Sequence, residues 1–355
     1  MPVQPAVRPD VVLHIGTAKT GTSTLQRFLS RNRTRLAADG LLYPRSPGRT
    51  RHADLGMFIR SDEEVELTLA WHRSGRTSVP DFRRRFRRRL FREIDEWSPS
   101  RVVFSDEGLY GAPKPAVERL RRFTERFGGS RSVVVYLRRQ DDHLVSRYQQ
   151  EVKVGETRRL TDWVVVDWSD FYDYRRRLER FRRILEPTSF VVRRFERDRF
   201  LGGDLVEDFM DAAAVTTPLA ELERTPSRNE SMSAEAVELL RLLNIHRREA
   251  DHLRRVEIDN RPYVERLLDA APGPALTLPD DVLDAFMAQW EETNRAVARD
   301  LLGDPSGELF SAPRRSRDVT TDQRLDPARV DHYVELLELP EELREPLREL
   351  ARRGA

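Results

Sequence analysis

VVLHIGTAKTGTSTLQRFL, residues 11–29, sets an apolar run against a glycine-bearing turn and then a helical pattern. VVLHI is short, β-branched and apolar, as a buried strand is. Leu25, Phe28 and Leu29 recur at helical spacing behind it. Between the two lies Gly16-Thr17-Ala18-Lys19-Thr20-Gly21-Thr22-Ser23. A turn of this kind lets backbone N–H groups and a helix N-terminus cradle a phosphate-like anion. Gly16 and Gly21 have the spacing of the nucleotide-triphosphatase loop Gly-x4-Gly-Lys-Ser/Thr. Thr22 occupies the lysine position of that pattern, however, and the lysine stands on the loop itself, at Lys19.

Beyond this segment, LLYP (41–44), VVFS (102–105), VVVYL (133–137) and FVVRRF (190–195) read as strands separated by helical stretches. That alternation predicts an α/β fold, a P-loop NTPase-like parallel sheet flanked by helices. From about residue 203 the pattern turns helical, with Leu239, Leu240, Leu242 and Leu243 in one stretch and Val282, Leu283 and Phe286 in another. The expected organisation is one domain over 1–310, with an α/β core at about 10–210 and a helical part at about 211–310. Residues 311–355 then supply a polar linker and a C-terminal helical extension.

Composition narrows the chemistry. With no cysteine in 355 residues, a disulfide scaffold, a thiolate nucleophile and a Cys-ligated metal site are excluded. No apolar run is long enough for a membrane helix, and the N-terminus lacks a leader layout, so a soluble cytoplasmic protein is expected. The 62 basic residues are nearly balanced by 60 acidic ones, which argues against wholesale nucleic-acid binding. Lysine occurs only at Lys19, Lys114 and Lys153; every other basic residue is arginine. A lysine kept against that bias points to a task that arginine does not perform. Helix 82–97, containing RRRFRRRLFR (83–92), carries Phe82, Phe86, Leu90, Ile94 and Trp97 on one stripe, with Ser78 and Asp81 as a capping box. Its arginine face reads as a solvated surface or as a contact for an anionic partner.

HIGTAKTGTSTLQRFL (14–29) resembles the 5′-phosphosulfate loop of the sulfotransferases that use 3′-phosphoadenosine 5′-phosphosulfate (PAPS). VVVYLRRQDDHLVSRYQQ (133–150) resembles that family's second signature, an arginine at a strand end and a serine eight residues on, here Arg138 and Ser146. A guanidinium fork and a helix hydroxyl suit a second phosphate. Similarity also runs through DFYDYRRRLERFRRILEPTSFVVRRFE (170–196) and NESMSAEAVELLRLLN (229–244), so that it covers roughly 10–310. Thr24 replaces the tryptophan of the small-phenol and steroid branch, and no lysine follows Lys153, so that branch's Arg-Lys-Gly element is absent. TGTSTLQ looks more like the carbohydrate-modifying and bacterial branches.

The resemblance implies PAPS as co-substrate, no metal, and an acceptor that is a small molecule, lipid or carbohydrate. It assigns Thr17, Ala18, Lys19, Thr20, Gly21, Thr22 and Ser23 to the 5′ end, and Arg138 and Ser146 to the 3′-phosphate, with Arg228 as a further contributor. Lys19 would meet the oxygen on which leaving-group charge develops. A general base is also required. Glu107, in VVFSDEGLY, lies past a strand end, where open α/β sheets contact their ligands. His52 is the rival, chemically suited near pH 7. Two other functions stay open. One is a P-loop ATPase or kinase with Asp106 and Glu107 serving Mg²⁺; the other is a non-catalytic polyanion-binding module built on helix 82–97.

Overall fold

Strand β1 (Asp10–His14) is buried along nearly its whole length, and its centre, Val11-Val12-Leu13, is apolar because both of its faces are covered. In the computed structural model, which describes residues 8–224, 231–314 and 318–354, four more strands join it: β2 (Leu41–Leu42), β3 (Arg101–Ser105), β4 (Arg131–Leu137) and β5 (Ser189–Arg194). All pair in parallel, in the order β2-β3-β1-β4-β5, with Val12 beside Val103 and Leu13 beside Val133. The five strand segments expected from the sequence are these five.

The sheet is flanked by helices that include α1 (Thr22–Arg31), α2 (Val79–Trp97), α3 (Lys114–Thr124) and α4 (Leu205–Ala212). On one face, Val12, Val103, Val134 and Tyr136 form a core with Leu25, Phe28 and Leu29 of α1 and Phe209 of α4. Each fully buried side chain of this kind contributes roughly 1.5–3 kcal/mol. On the other face Phe104 meets Phe123 of α3, and Phe123 in turn meets Phe86 of α2. Phe82, Phe86, Leu90 and Ile94 are buried as their spacing requires. Trp97, expected on the same stripe, is 47% exposed. It is the last helical residue, and left-handed Ser98 turns the chain away towards β3. Only half of the expected capping box forms: Ser78 accepts the Asp81 N–H, while the Asp81 carboxylate pairs with Arg84.

Because the chain passes from β3 on one side of β1 to β4 on the other, β1 is central and all strands end at one edge. Open α/β sheets hold their ligands at such an edge.

The chain forms two compact units. The first holds the described residues within 1–139, 169–227 and 292–312; the second holds those within 140–168, 228–291 and 313–355. This partition is discontinuous, unlike the expected single domain followed by an extension. In the second unit Gln323 accepts the Leu160 N–H and donates to Tyr148 and Glu238, and Arg159 donates to the Gly354 carbonyl. The tail is thereby built into that unit. Among the described residues no helix is long and apolar enough to cross a membrane.

Candidate functional site

Parallel pairing delivers the carboxyl ends of β1, β3 and β4 to the same edge of the first unit. The segment after β1 first continues the ladder. Ile15 N–H bonds to Val134 O, Tyr136 N–H to Gly16 O, and Thr17 N–H to Tyr136 O. The chain then coils tightly, with Gly16 at φ +101°, Lys19 at φ +60° and Gly21 at φ +70°. A Cβ on Gly16 would lie 3.1 Å from the Glu107 Cα, and one on Gly21 would lie 2.2 Å from the Leu205 side chain. Both glycines are therefore required by close approach as well as by backbone angle. Lys19 holds a left-handed conformation at a cost of roughly 1–2 kcal/mol. The Thr20 hydroxyl bonds to Thr17 O at 2.6 Å, and Arg138, just past β4, donates to the Lys19 carbonyl at 3.0 Å.

Helix α1 starts from Gly21 with no side-chain cap and no acidic residue in its first turn. The Thr24 and Leu25 N–H groups turn back to the Gly21 carbonyl, which leaves those of Thr22 and Ser23 outside the helical ladder. An uncapped helix start is electrostatically suited to an anion. Ser23 is exposed, Ala18 and Lys19 half-buried, and Thr17, Thr20 and Thr22 buried.

The β3 end contributes two adjacent carboxylates. Buried Asp106 accepts the Gly108 N–H at 3.0 Å and Arg51 Nε at 2.7 Å. Glu107 accepts the Thr22 hydroxyl at 2.5 Å on one oxygen and Arg51 Nη1 at 3.0 Å on the other. The negative charge of Asp106, and secondarily of Glu107, raises the Arg51 pKa above its ordinary value. Arg60 braces this loop by donating to the carbonyls of Gly56 and Gly108. Glu107 is thus tied to the first residue of α1 and sits against the turn that precedes it. A carboxylate so held can accept a proton from a hydroxyl brought to the loop.

His52 sits elsewhere. It is fully buried and stacked on Tyr43 with ring centroids 4.2 Å apart. Its Nδ1 accepts the Ser105 N–H at 3.2 Å, and Nε2 bonds to the Pro44 carbonyl at 2.9 Å. Burial, with the Arg33 charge nearby, lowers its pKa to about 3. Both nitrogens are committed to the backbone, so the imidazole pins loop 44–52 to β3 and has no lone pair for a substrate. Burial likewise lowers His14 to about 4, with Nδ1 on the Ser105 hydroxyl at 2.8 Å.

Of the residues singled out from the sequence, the first unit brings together the loop from Thr17 to Ser23, Arg138 and Glu107. Ser146 is half-buried on the helix Gln140–Val152 of the second unit. Arg228 lies outside the described residues. Arg51 and Arg60 are not among the site residues assigned from the sequence. The carboxylates that Arg51 meets and the Gly108 carbonyl that Arg60 meets lie 48 to 56 residues away along the chain, at a strand end that only the sheet order brings near.

No family model matches this chain, and no solved structure does. An uncharacterized protein of Archaeoglobus fulgidus is 26% identical over 216 residues, which is 58% of this chain. The chain spans 56% of that relative's length, and the relative's name carries no activity.

Proposed function

We propose that this chain is a PAPS-dependent sulfotransferase with a P-loop-like sheet, acting on a hydroxyl or amine of a small-molecule, lipid or carbohydrate acceptor. The observation that carries the reading is the hydrogen bond from Arg138 to the Lys19 carbonyl, which joins the strand-end arginine of the second motif to the loop of the first within one unit. In this reading the turn and the start of α1 hold the 5′-phosphosulfate, and Arg138 serves the 3′-phosphate. The acceptor oxygen attacks sulfur while the bond from sulfur to the 5′-phosphate oxygen breaks. That oxygen keeps the electron pair and is met by the Lys19 ammonium. The acceptor proton passes to Glu107, leaving sulfated acceptor and adenosine 3′,5′-bisphosphate. Arg51 offsets the two carboxylates, which would otherwise repel a polyanionic donor.

One observation favours a second reading, an ATPase or kinase. A helix-start hydroxyl bonded to a strand-end carboxylate, as Thr22 is to Glu107, resembles a Mg²⁺ site. Thermal-shift titration separates the two. The sulfotransferase reading expects stabilisation by adenosine 3′,5′-bisphosphate without metal, about 2.7 kcal/mol at 100 times its Kd, and loss of that effect in Arg138→Ala. Stabilisation by ATP with Mg²⁺ alone overturns it.

A further inference from the structure

We infer that the first unit carries a second anion site, apart from the β1–α1 turn, for a phosphate or sulfate monoester with an apolar or ring-bearing body. The site is a cavity of about 620 Å³ between the start of α2, the last turns of α3 and the segment 58–63. That volume is in the range of small-molecule sites. Five guanidiniums line it, those of Arg60, Arg83, Arg119, Arg122 and Arg126, against only two carboxylates, Asp62 and Glu63.

The positive excess is only partly cancelled locally, by Asp62 on Arg83, Glu63 near Arg119, and Asp106 and Glu64 near Arg60. Arg83 pairs with Asp62, but Arg119, Arg122 and Arg126 form no ion pair among the described residues. Several of these cations are also fixed in place by neutral partners. Arg119 donates to the Ile59 carbonyl at 2.6 Å, Arg83 to the Arg60 carbonyl at 2.5 Å, and Arg60 to the carbonyls of Gly56 and Gly108. Carbonyl partners orient a guanidinium without neutralising it, and five-donor forks held in this way match tetrahedral oxyanions. Pre-orientation also removes part of the ordering cost of binding. Phe58, half-buried, and Phe123, buried, belong to the same lining with ring centroids 5.4 Å apart. Cationic donors beside aromatic surface select an ester over the free ion.

This cavity is not the arginine face of α2 noticed in the sequence. Arg84, Arg87 and Arg88 do not line it, and most of its cations come from α3 and the segment before Ser61. No spacing pattern in the sequence joins Arg60, Arg83 and Arg122.

The test uses phenyl phosphate and inorganic phosphate as probes, by calorimetry and thermal shift on the full chain at low salt. Variants are the wild type, Lys19→Ala and Arg119→Gln/Arg122→Gln. The inference expects phenyl phosphate to bind wild type and Lys19→Ala equally. It expects the double variant to bind about tenfold or more weakly, since one lost charge-assisted hydrogen bond is worth about that factor. Inorganic phosphate should bind more weakly than phenyl phosphate. Arg122 and Arg126 are exposed, so Arg122→Gln/Arg126→Gln gives a second, fold-neutral pair should Arg119 prove necessary for folding. The inference is overturned if phenyl phosphate does not bind wild type, if Lys19→Ala abolishes binding, or if both arginine pairs can be replaced without loss. Equal affinity for the two probes overturns the ester assignment.

Discussion

Arginine and glutamate meet in both units, and they do so on different terms. In the second unit Arg241 and Glu238 are each almost fully buried and joined by two hydrogen bonds. Glu238 also accepts from Gln323, and Arg241 also donates to the Thr157 carbonyl, so the surrounding protein closes the network. In the first unit Arg51 and Glu107 are both partly exposed, and Glu107 reaches from a strand end to the first residue of α1. The second unit's pair holds secondary structure together. The first unit's pair sits where a sheet edge, a left-handed turn and an uncapped helix converge. In a chain this rich in arginine, an ion pair alone says little about function; what lies beside it decides.

The largest expected effect falls on the closed network. Arg241→Ala strips a buried carboxylate of two charge-assisted hydrogen bonds and leaves it only the Arg159 guanidinium at 3.7 Å, and should lower unfolding free energy by about 3 kcal/mol in urea titrations. The remaining folded protein should bind adenosine 3′,5′-bisphosphate as before. If affinity fell with stability, the two regions would not be separable in the way described.

Lys19→Gly reverses the pattern. Glycine takes the left-handed conformation without steric cost, so stability should stay within about 1 kcal/mol of the wild type. Affinity for the bisphosphate should fall about tenfold or more, the worth of one charge-assisted contact to phosphate. Calorimetry beside urea unfolding reads both. Retained affinity would mean that the turn's backbone, and not the ammonium, holds the anion.

The pH dependence comes from the histidines beneath the site. Their folded pKa values, about 4 for His14 and about 3 for His52, lie below the ordinary value of about 6.5. The unfolded chain therefore binds more protons below about pH 6.5, and stability drops as pH falls from there towards the folded values. Each histidine contributes a slope of about 1.4 kcal/mol per pH unit across that window. His14→Gln should make the fall between pH 6.5 and 5 about half as steep, seen as a smaller shift in urea midpoint. An unchanged slope would show that other groups set the acid limit.

The sheet was legible because its strands are short β-branched runs buried on both faces, a pattern that needs no knowledge of their partners. VVLHI, VVFS and VVVYL each became a strand within a residue or two. The turn was legible too, since Gly16, Lys19 and Gly21 are close in sequence and the turn is made locally. The environment of His52 was not. A histidine in RTRHADLG looks available until the fold places Tyr43 against its ring and the Ser105 N–H on its nitrogen. The unit boundary was equally hidden, because Gln323 finds Tyr148 and Glu238 across 175 and 85 residues.

The smallest expected effect is also the most discriminating. Glu107→Gln removes one negative charge beside the start of α1 and keeps an oxygen that can accept from Thr22. If the turn binds the bisphosphate without metal, loss of that charge should leave affinity unchanged or raise it by no more than about threefold, the scale of a partly exposed pairing. If Glu107 instead serves Mg²⁺ beside Thr22, the bisphosphate is not the natural ligand, and the same substitution should weaken metal-dependent binding of ATP. The sign of the change, read by calorimetry with EDTA and with Mg²⁺, therefore separates a proton acceptor from a metal ligand. A lowered affinity for the bisphosphate in EDTA would count against both roles and make Glu107, like Glu238, a carboxylate that mainly holds its own arginine in place.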